Sequence, residues 1–332
     1  MNTFVLYCIY IPICLFYSCN SKQAKSDKTK NPSESSSHID KSSIWNAPDT
    51  TLIPQNDSGR LISYGRDLIR YTSKYLGPNG SVMQISNGMN CQNCHLNAGT
   101  KPFGNNYSAV ASTFPKFRAR SGTIESIEKR INDCLERSLN GKSLDSSSTE
   151  MRAIVAYMKW LGQGVEKGKT PLGAGLIDVP FLNRPADSAK GQLVYISKCA
   201  KCHGNNGEGW RSTDKKGYLY PPLWGSNSYN IGAGLYRLSR FAGFVKANMP
   251  YDTNSNNPNL TDEEAWDIAA FVNSKQRPIK SYPHDWPDSS LKPFDHPFGP
   301  YHDNFTERQH KYGPFQPIQD ENKTKNSSGT RK

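Results

Sequence analysis

The sequence predicts an all-α fold built from two tandem domains, with irregular extensions at both ends of the chain. Two observations predict this architecture. The pattern C-x-x-C-H occurs twice, as CQNCH at residues 91–95 and as CAKCH at residues 199–203. Each copy lies between an opening and a closing segment whose apolar residues recur at helical spacing, which indicates a loose internal repeat. The openings are YGRDLIRYTSKYLG and AKGQLVYISK, and the closings are SSTEMRAIVAYMKWLG and LTDEEAWDIAAFVNS.

The N-terminus predicts export, with residues 1–18 as a signal peptide. The apolar run FVLYCIYIPICLFYSC is too short to span a bilayer and lies where the core of a signal peptide belongs. Ser18 followed by Cys19 and a polar tract is typical of lipoprotein cleavage, which would place a lipid on Cys19. Simple secretion after cleavage near Ser18 is the alternative. Both alternatives predict a periplasmic location, in solution or anchored to the membrane.

The remainder of the chain divides by composition. Residues 19–50 are rich in Ser and Lys and nearly free of aliphatic side chains, which predicts a disordered tether. Both closing helices begin with capping-box signals, Ser147 with Glu150 and Thr261 with Glu264. The predicted segments after the tether are a first domain at 51–167, a linker rich in Gly and Pro at 168–185, a second domain at 186–277, and an extension with a disordered tail at 278–332.

The two C-x-x-C-H motifs predict two covalently bound c-type haems. Two cysteines at this spacing match the vinyl groups of the macrocycle, and the adjacent histidine becomes the proximal ligand of the iron. A shared four-cysteine zinc site would leave both histidines unexplained, and such short gaps rarely accommodate disulfides. Each domain is therefore predicted to be cytochrome c-like. The residues concerned are Cys91, Cys94 and His95 in the first domain and Cys199, Cys202 and His203 in the second.

Met249 is the predicted second iron ligand in the second domain. It lies in FVKANMPYD, after the haem motif and shortly before the closing helix, and its thioether is suited to iron. A buried methionine that only fills space is the alternative. In the first domain Met151 and Met158 fall within the predicted closing helix, where core packing is the expected use.

Cys134 is therefore the candidate ligand of the first haem. A helix is predicted from Ile124 to Asn140, with Thr123 as its N-cap and Gly141 as its stop. Cys134 shares one edge of this helix with Arg130 and Ser138, a polar edge that suits the wall of a site. Nearby arginines favour the thiolate form. An inert buried thiol is the alternative. The predicted buried face is Ile124, Ile127, Ile131, Leu135 and Leu139.

The charge of the chain suits an anionic partner. The formal net charge is +12, and residues 101–142 hold eight Lys and Arg against four Asp and Glu. This local surplus favours a small dianion, although an ordinary solvated face is the alternative. The sequence has no RNA-binding, helix-turn-helix or zinc-finger pattern, so no nucleic acid partner is predicted.

The region around Cys134 resembles a known family. The run FPKFRARSGTIESIEKRINDCLERSLNG, with ISNGMNCQNCHLNAGT before it and EMRAIVAYMKWL after it, resembles the dihaem thiosulfate dehydrogenases. These c-type cytochromes couple two thiosulfates to tetrathionate, and some members run the reduction instead. The resemblance covers roughly residues 60–275 and is most specific around Cys134.

The resemblance implies that the first haem is catalytic, with His95 and Cys134 as axial ligands. It further implies that Arg120 and Arg130 bind sulfonate oxygens and that Ser138 lines the pocket. Two thiosulfate dianions repel each other, and guanidinium groups offset that repulsion. The expected mechanism has Cys134 leave the iron, or swing aside, and carry one thiosulfate as an S-thiosulfonate, which the second thiosulfate attacks.

The resemblance implies that the second haem, held by His203 and Met249, passes electrons to an external electron-transfer protein or a quinol-linked cytochrome. In some relatives a lysine directly before the methionine replaces it on the iron. This chain has Asn248 there and its nearest lysine at Lys246, which departs from that pattern.

Other functions are compatible with the same motifs. A non-enzymatic dihaem electron carrier would use Cys134 only as a ligand or a core residue. A SoxA-like sulfur-transfer cytochrome would need a haem partner and a carrier protein with a swinging cysteine. A dihaem peroxidase is a further alternative, which peroxide turnover would reveal.

Overall fold

The structure is a computed structural model that describes residues 44–329, with the side chains of residues 326–329 left out. The predicted signal peptide, Cys19 and most of the tether lie outside the described residues. Within residues 44–329, no helix is both long enough and apolar enough to cross a membrane. The described residues form one body of helices with two short antiparallel hairpins.

The first domain places its haem motif between an opening and a closing helix. A short turn at Cys91–Asn93 carries the first cysteine of the motif, and α3 begins directly after His95. Its elements are α1 (Asp57–Arg70), α2 (Thr72–Leu76), α3 (Leu96–Gly99), α4 (Val110–Thr113), β1 (Lys116–Arg118), β2 (Thr123–Glu125), α5 (Ile127–Arg137) and α6 (Thr149–Leu161).

The second domain repeats this arrangement, with its haem motif directly after the opening helix. Thr261 caps the closing helix, and its capping box with Glu264 is confirmed. The elements are α7 (Ser188–Lys198), α8 (Ala200–His203), β3 (Trp210–Arg211), β4 (Tyr218–Tyr220), α9 (Leu238–Asn248) and α10 (Asp262–Ser274).

One glycine in each domain allows the opening helix to cross the closing helix closely. A Cβ on Gly65 of α1 would lie 1.9 Å from the carbonyl oxygen of Ala153 in α6. A Cβ on Gly191 of α7 would lie 1.9 Å from the carbonyl oxygen of Asp267 in α10. Both distances are too short for any side chain, so each crossing requires glycine. The internal repeat seen in the sequence is therefore a repeat of helix packing.

The helix that carries Cys134 is shorter than predicted. Residues Thr123–Glu125 pair with β1 as strand β2, so Thr123 is not the N-cap and Ile124 is exposed rather than buried. Ser126 caps α5 instead, accepting a hydrogen bond from the Lys129 amide. Similarly, Ser148 rather than Ser147 caps α6. Ile127, Ile131, Leu135 and Leu139 are buried as predicted.

The C-terminal extension wraps over the body of the protein and contains two helices. These are α11 (Glu307–Tyr312) and α12 (Gln316–Gly329). Phe315 and Ile318 are 3% and 0% exposed, and the Phe315 ring contacts Trp266 of the second domain. The predicted disordered tail is thus helical as far as Gly329, because this end of the extension has an apolar anchor.

Candidate active site

The first haem motif is held in place by backbone hydrogen bonds to the start of α2. The Cys91 amide donates to the Thr72 hydroxyl at 3.0 Å, and the Ser73 amide donates to the Asn90 side chain at 2.8 Å. These contacts fix the turn that carries the two cysteines. Cys91 and Cys94 lie on one side of a cavity in the first domain.

His95 is oriented by two neighbours. Its Nδ1 lies 2.5 Å from the Asn105 carbonyl oxygen, which makes Nδ1 the protonated nitrogen and leaves Nε2 as the nitrogen available to a metal. The Tyr107 ring stacks on the imidazole at 4.5 Å between centroids. The same arrangement recurs in the second domain, where His203 Nδ1 lies 2.9 Å from the Pro221 carbonyl oxygen.

Cys134 lines the same cavity from α5 and lies within hydrogen-bonding reach of His95. Arg130, one turn earlier, donates from Nη1 to the Cys134 sulfur at 2.8 Å. Burial opposes ionisation of the thiol, but the Arg130 charge and the hydrogen bonds from His95 and Arg130 outweigh it, and the pKa of Cys134 falls to about 6. The site therefore favours a thiolate opposite the histidine.

The residues around this cavity fit a c-type haem. The wall is largely apolar, and both motif cysteines lie on it together with His95. His95 and Cys134 supply a nitrogen and a sulfur ligand for iron. The apolar lining includes Ile69, Leu76, Ile131, Leu135, Ile154 and Met158.

The two motifs do not form a shared four-cysteine zinc site, which was the alternative to two haems. Across residues 44–329, no group of three or more His, Cys, Asp or Glu side chains converges as a metal site requires. Met151 and Met158 are buried in α6, as expected for core residues, and Met158 also lines the haem cavity.

The other predicted site residues divide between two cavities. Ser138 lines the haem cavity at the end of α5, together with Arg130. Arg120 instead lines a neighbouring cavity, and its Nη1 donates to the Gly232 carbonyl oxygen at 2.9 Å. Burial and the charges of Arg137 and Arg130 lower the pKa of Arg120 to about 10, against the opposing charge of Asp285. The two cavities are thus within electrostatic range of each other.

Met249 directly follows α9 and packs, partly buried, against the hydrophobic core. Its position opposite His203 stays a prediction. Asn248 is buried, and its side-chain amide donates to the Phe103 carbonyl oxygen at 3.0 Å. Phe103 is two residues before Asn105, the partner of His95. A hydrogen-bonded route therefore links the histidine loop of the first domain to the residue before Met249.

The sequence reasoning missed the contribution of the extension and of Arg118. Arg137 of α5 makes two 2.8 Å hydrogen bonds to the Asp285 carboxylate and lies 3.7 Å over the Tyr282 ring. Arg118 of β1 is close enough to Cys134 for the two charges to interact. The aromatic residues of the extension were the available signal, since a disordered segment is poor in them.

Comparisons with known proteins match both domains and most of the described chain. The family profile described as "SoxA/TsdA, cytochrome c domain" matches residues 82–166, and the profile "Cytochrome c" matches residues 188–276. The thiosulfate dehydrogenase of Psychrobacter arcticus is 38% identical over 242 residues, which cover 73% of this chain and 71% of that protein. The thiosulfate dehydrogenase of Allochromatium vinosum is also 38% identical over 242 residues, covering 71% of this chain and 85% of that protein.

A solved structure gives the same similarity. The thiosulfate dehydrogenase (TsdBA) from Marichromatium purpuratum, in its "as isolated" form, superposes with a TM-score of 0.66 at 30% identity. The superposition covers 71% of this chain and 50% of that one, so this chain spans half the length of the solved chain.

Proposed function

This chain belongs to the thiosulfate dehydrogenase family, and we propose that it couples two thiosulfates to tetrathionate, or runs the reverse reduction, in the pocket between His95 and Cys134. The observation that carries this site is the Cys134 sulfur, which faces His95 and receives a 2.8 Å hydrogen bond from Arg130. A thiolate in that position can ligate iron and can attack sulfur.

The chain binds two c-type haems, one in each cytochrome c domain. Cys91 and Cys94 would hold the first by thioether bonds, and His95 and Cys134 would ligate its iron. Cys199 and Cys202 would hold the second, and His203 and Met249 would ligate its iron. When bound, the two haems supply one-electron acceptors for the electrons that leave the substrate sulfurs.

The polar edge of α5 binds and orients the substrate. Arg130 and Ser138 are the polar side chains of this edge within the cavity. The guanidinium group offers paired donors that match sulfonate oxygens and offsets the repulsion between a dianion and the Cys134 thiolate. The apolar remainder of the wall excludes water, which strengthens these charge interactions.

Cys134 acts as the sulfur nucleophile. A bond forms between its sulfur and the sulfane sulfur of one thiosulfate, and two electrons leave together with this oxidation to give an S-thiosulfonate. The sulfane sulfur of a second thiosulfate then attacks the cysteine-bound sulfane sulfur. This displacement forms tetrathionate and releases the Cys134 thiolate, so no further oxidant is needed.

The electrons pass from the first domain to the second and then to an external electron-transfer protein or quinol-linked cytochrome. The contact from the His95 loop through Phe103 to Asn248 supports a route between the domains, since it connects them beside Met249. We further propose that the protein is exported to the periplasm, either in solution after cleavage near Ser18 or anchored by a lipid on Cys19. The mass of the mature N-terminus tests both the cleavage site and the lipid.

The test of the function is thiosulfate-dependent haem reduction by the purified holoprotein. Cys134→Gly is expected to retain both haems, measured as haem content per chain, and to lose at least about a hundredfold in turnover, the scale of removing a catalytic nucleophile. Lys129→Gln, on the exposed side of the same helix, is the matched control and keeps its activity. Undiminished turnover in Cys134→Gly contradicts the role of this thiol. A wild-type holoprotein that thiosulfate cannot reduce contradicts the function itself.

A further inference from the structure

A second cavity of about 750 Å³ lies where the two domains meet the C-terminal extension. Arg120 comes from the first domain, Tyr236 and Arg237 from the second, and Lys280, Trp286 and Lys292 from the extension. The family profiles end at residue 276, so the extension adds one wall of this cavity outside the matched domains.

The cavity carries unbalanced positive charge. Arg237 is paired with Asp295, and the one acidic residue of the lining, Asp285, is paired with Arg137. Within the described part of the chain, Arg120, Lys280 and Lys292 have no carboxylate within ion-pair distance. They donate to backbone carbonyl groups, of Gly232, Gly141, and Phe298 with Pro300 respectively. A carbonyl group satisfies a donor but leaves the positive charge in place.

An unused donor points to the same kind of ligand. Nε1 of Trp286 is buried and has no hydrogen-bond partner among residues 44–329, although this side chain lines the cavity. A buried donor without a partner is unfavourable, and a bound acceptor removes that cost. The Arg120 guanidinium lies 5.6 Å from the Trp286 ring centroid. The indole donor and a buried positive charge are therefore neighbours in this cavity.

His296, which also lines the cavity, lies in the positive electrostatic field of the same side chains. Burial and the positive charges of Lys292, Arg120 and Arg237 lower its pKa to about 4. A neutral imidazole keeps one more hydrogen-bonding group available beside the cations.

We propose that this cavity binds a small sulfur oxoanion, held by Arg120, Lys280, Lys292 and the Trp286 indole, as a docking site beside the haem pocket. The proposal rests on the proposed function, because thiosulfate and tetrathionate both carry the sulfonate group that such a site recognises. Arg120 connects the two places, since its charge interacts with that of Arg130 in the haem pocket. The extension thereby adds a positively charged site that concentrates the dianion beside the haem pocket.

The direct test locates an oxoanion in crystals of the oxidised full-length holoprotein. Selenate, a redox-inert analogue in this setting, is soaked in and found by its anomalous scattering. We expect a peak between Lys292, Arg120 and Trp286 that is lost in Lys292→Gln and in Trp286→Phe. The Phe variant removes the indole donor while keeping an aromatic ring, so it separates binding from packing. An empty cavity in the wild type, or an unchanged peak in both variants, overturns the proposal.

The kinetic test distinguishes thiosulfate from tetrathionate as the ligand of this cavity. In Lys292→Gln the KM for thiosulfate is expected to rise about tenfold, the effect of one charge-assisted hydrogen bond, with kcat changed by less than about twofold. A weakened inhibition by added tetrathionate would instead assign the site to the product. Lys323→Gln, exposed and on α12 of the same extension, is the control. If neither constant moves in either cavity variant, the proposal fails. If the wild type does not oxidise thiosulfate, the function fails, and the selenate experiment still decides the site.

Discussion

Asp295 ties the extension to α9, the helix that directly precedes Met249, and its removal should destabilise the protein. This carboxylate is 1% exposed. It accepts hydrogen bonds from two nitrogens of Arg237, with Nε at 2.7 Å. It also accepts from the amide of Ser239 at 3.0 Å and from its hydroxyl at 2.6 Å. Arg237 itself provides no side-chain cap for α9, so Asp295 caps this helix from a distant part of the sequence.

The expected loss of stability follows from these contacts. Breaking a buried ion pair by removing one partner costs about 3–5 kcal/mol, because the other charge stays buried. The Arg237 side chain is 20% exposed, so water partly compensates it and the lower end of that range applies. Loss of the cap at Ser239 adds about 1 kcal/mol. Asp295→Ala is therefore expected to lower the free energy of unfolding by about 3–4 kcal/mol, and Asp295→Asn by less, because the amide still accepts one hydrogen bond.

Urea denaturation of the holoprotein, followed by circular dichroism, measures this change from the midpoint and slope. Asp214→Ala is the control, since Asp214 lies at an exposed turn and bonds only to neighbouring residues. A loss in Asp295→Ala no larger than in this control would refute the reasoning that the extension stabilises α9 through a buried charge.

Two further predictions concern pH and backbone. His296 has a pKa of about 4 in the folded protein against about 6.5 in an unfolded chain, so folding excludes a proton. The contribution of His296 to stability is therefore fully present above pH 6.5. It falls as the pH drops from there towards 4, by at most about 3 kcal/mol. In His296→Phe, urea midpoints measured across this pH range should lack that part of their pH dependence. Gly99 has a φ of +80°, and a Cβ there would lie 2.0 Å from the Tyr107 ring that stacks on His95. Gly99→Ala is expected to lower the midpoint of thermal unfolding and to alter the absorption spectrum of the first haem. Gly164→Ala, where the added methyl group meets open space, serves as control. Equal thermal midpoints in the two variants would contradict the predicted strain at Gly99.

Some features of the site are local in the sequence and could be predicted from it. The two haem motifs depend on a spacing of a few residues, and the polar edge of Arg130, Cys134 and Ser138 depends on one helical period. The structure brings these residues into one cavity with His95. The predicted start of the helix that carries Cys134 was wrong because Thr123–Glu125 pairs with strand β1. Strand pairing depends on a partner that helical spacing does not reveal.

The two haem motifs, the polar edge of the Cys134 helix and the repeat of two domains were thus determined by the sequence alone, because each depends on local spacing along the chain. The tertiary structure alone decided that Arg120 points into a second cavity and that the extension forms part of its wall. These contacts join residues far apart in the sequence, such as Arg137 and Asp285, which are 148 positions apart. No local period carries that information, because the pairing arises only when helices and extension pack together and a buried charge must find its partner.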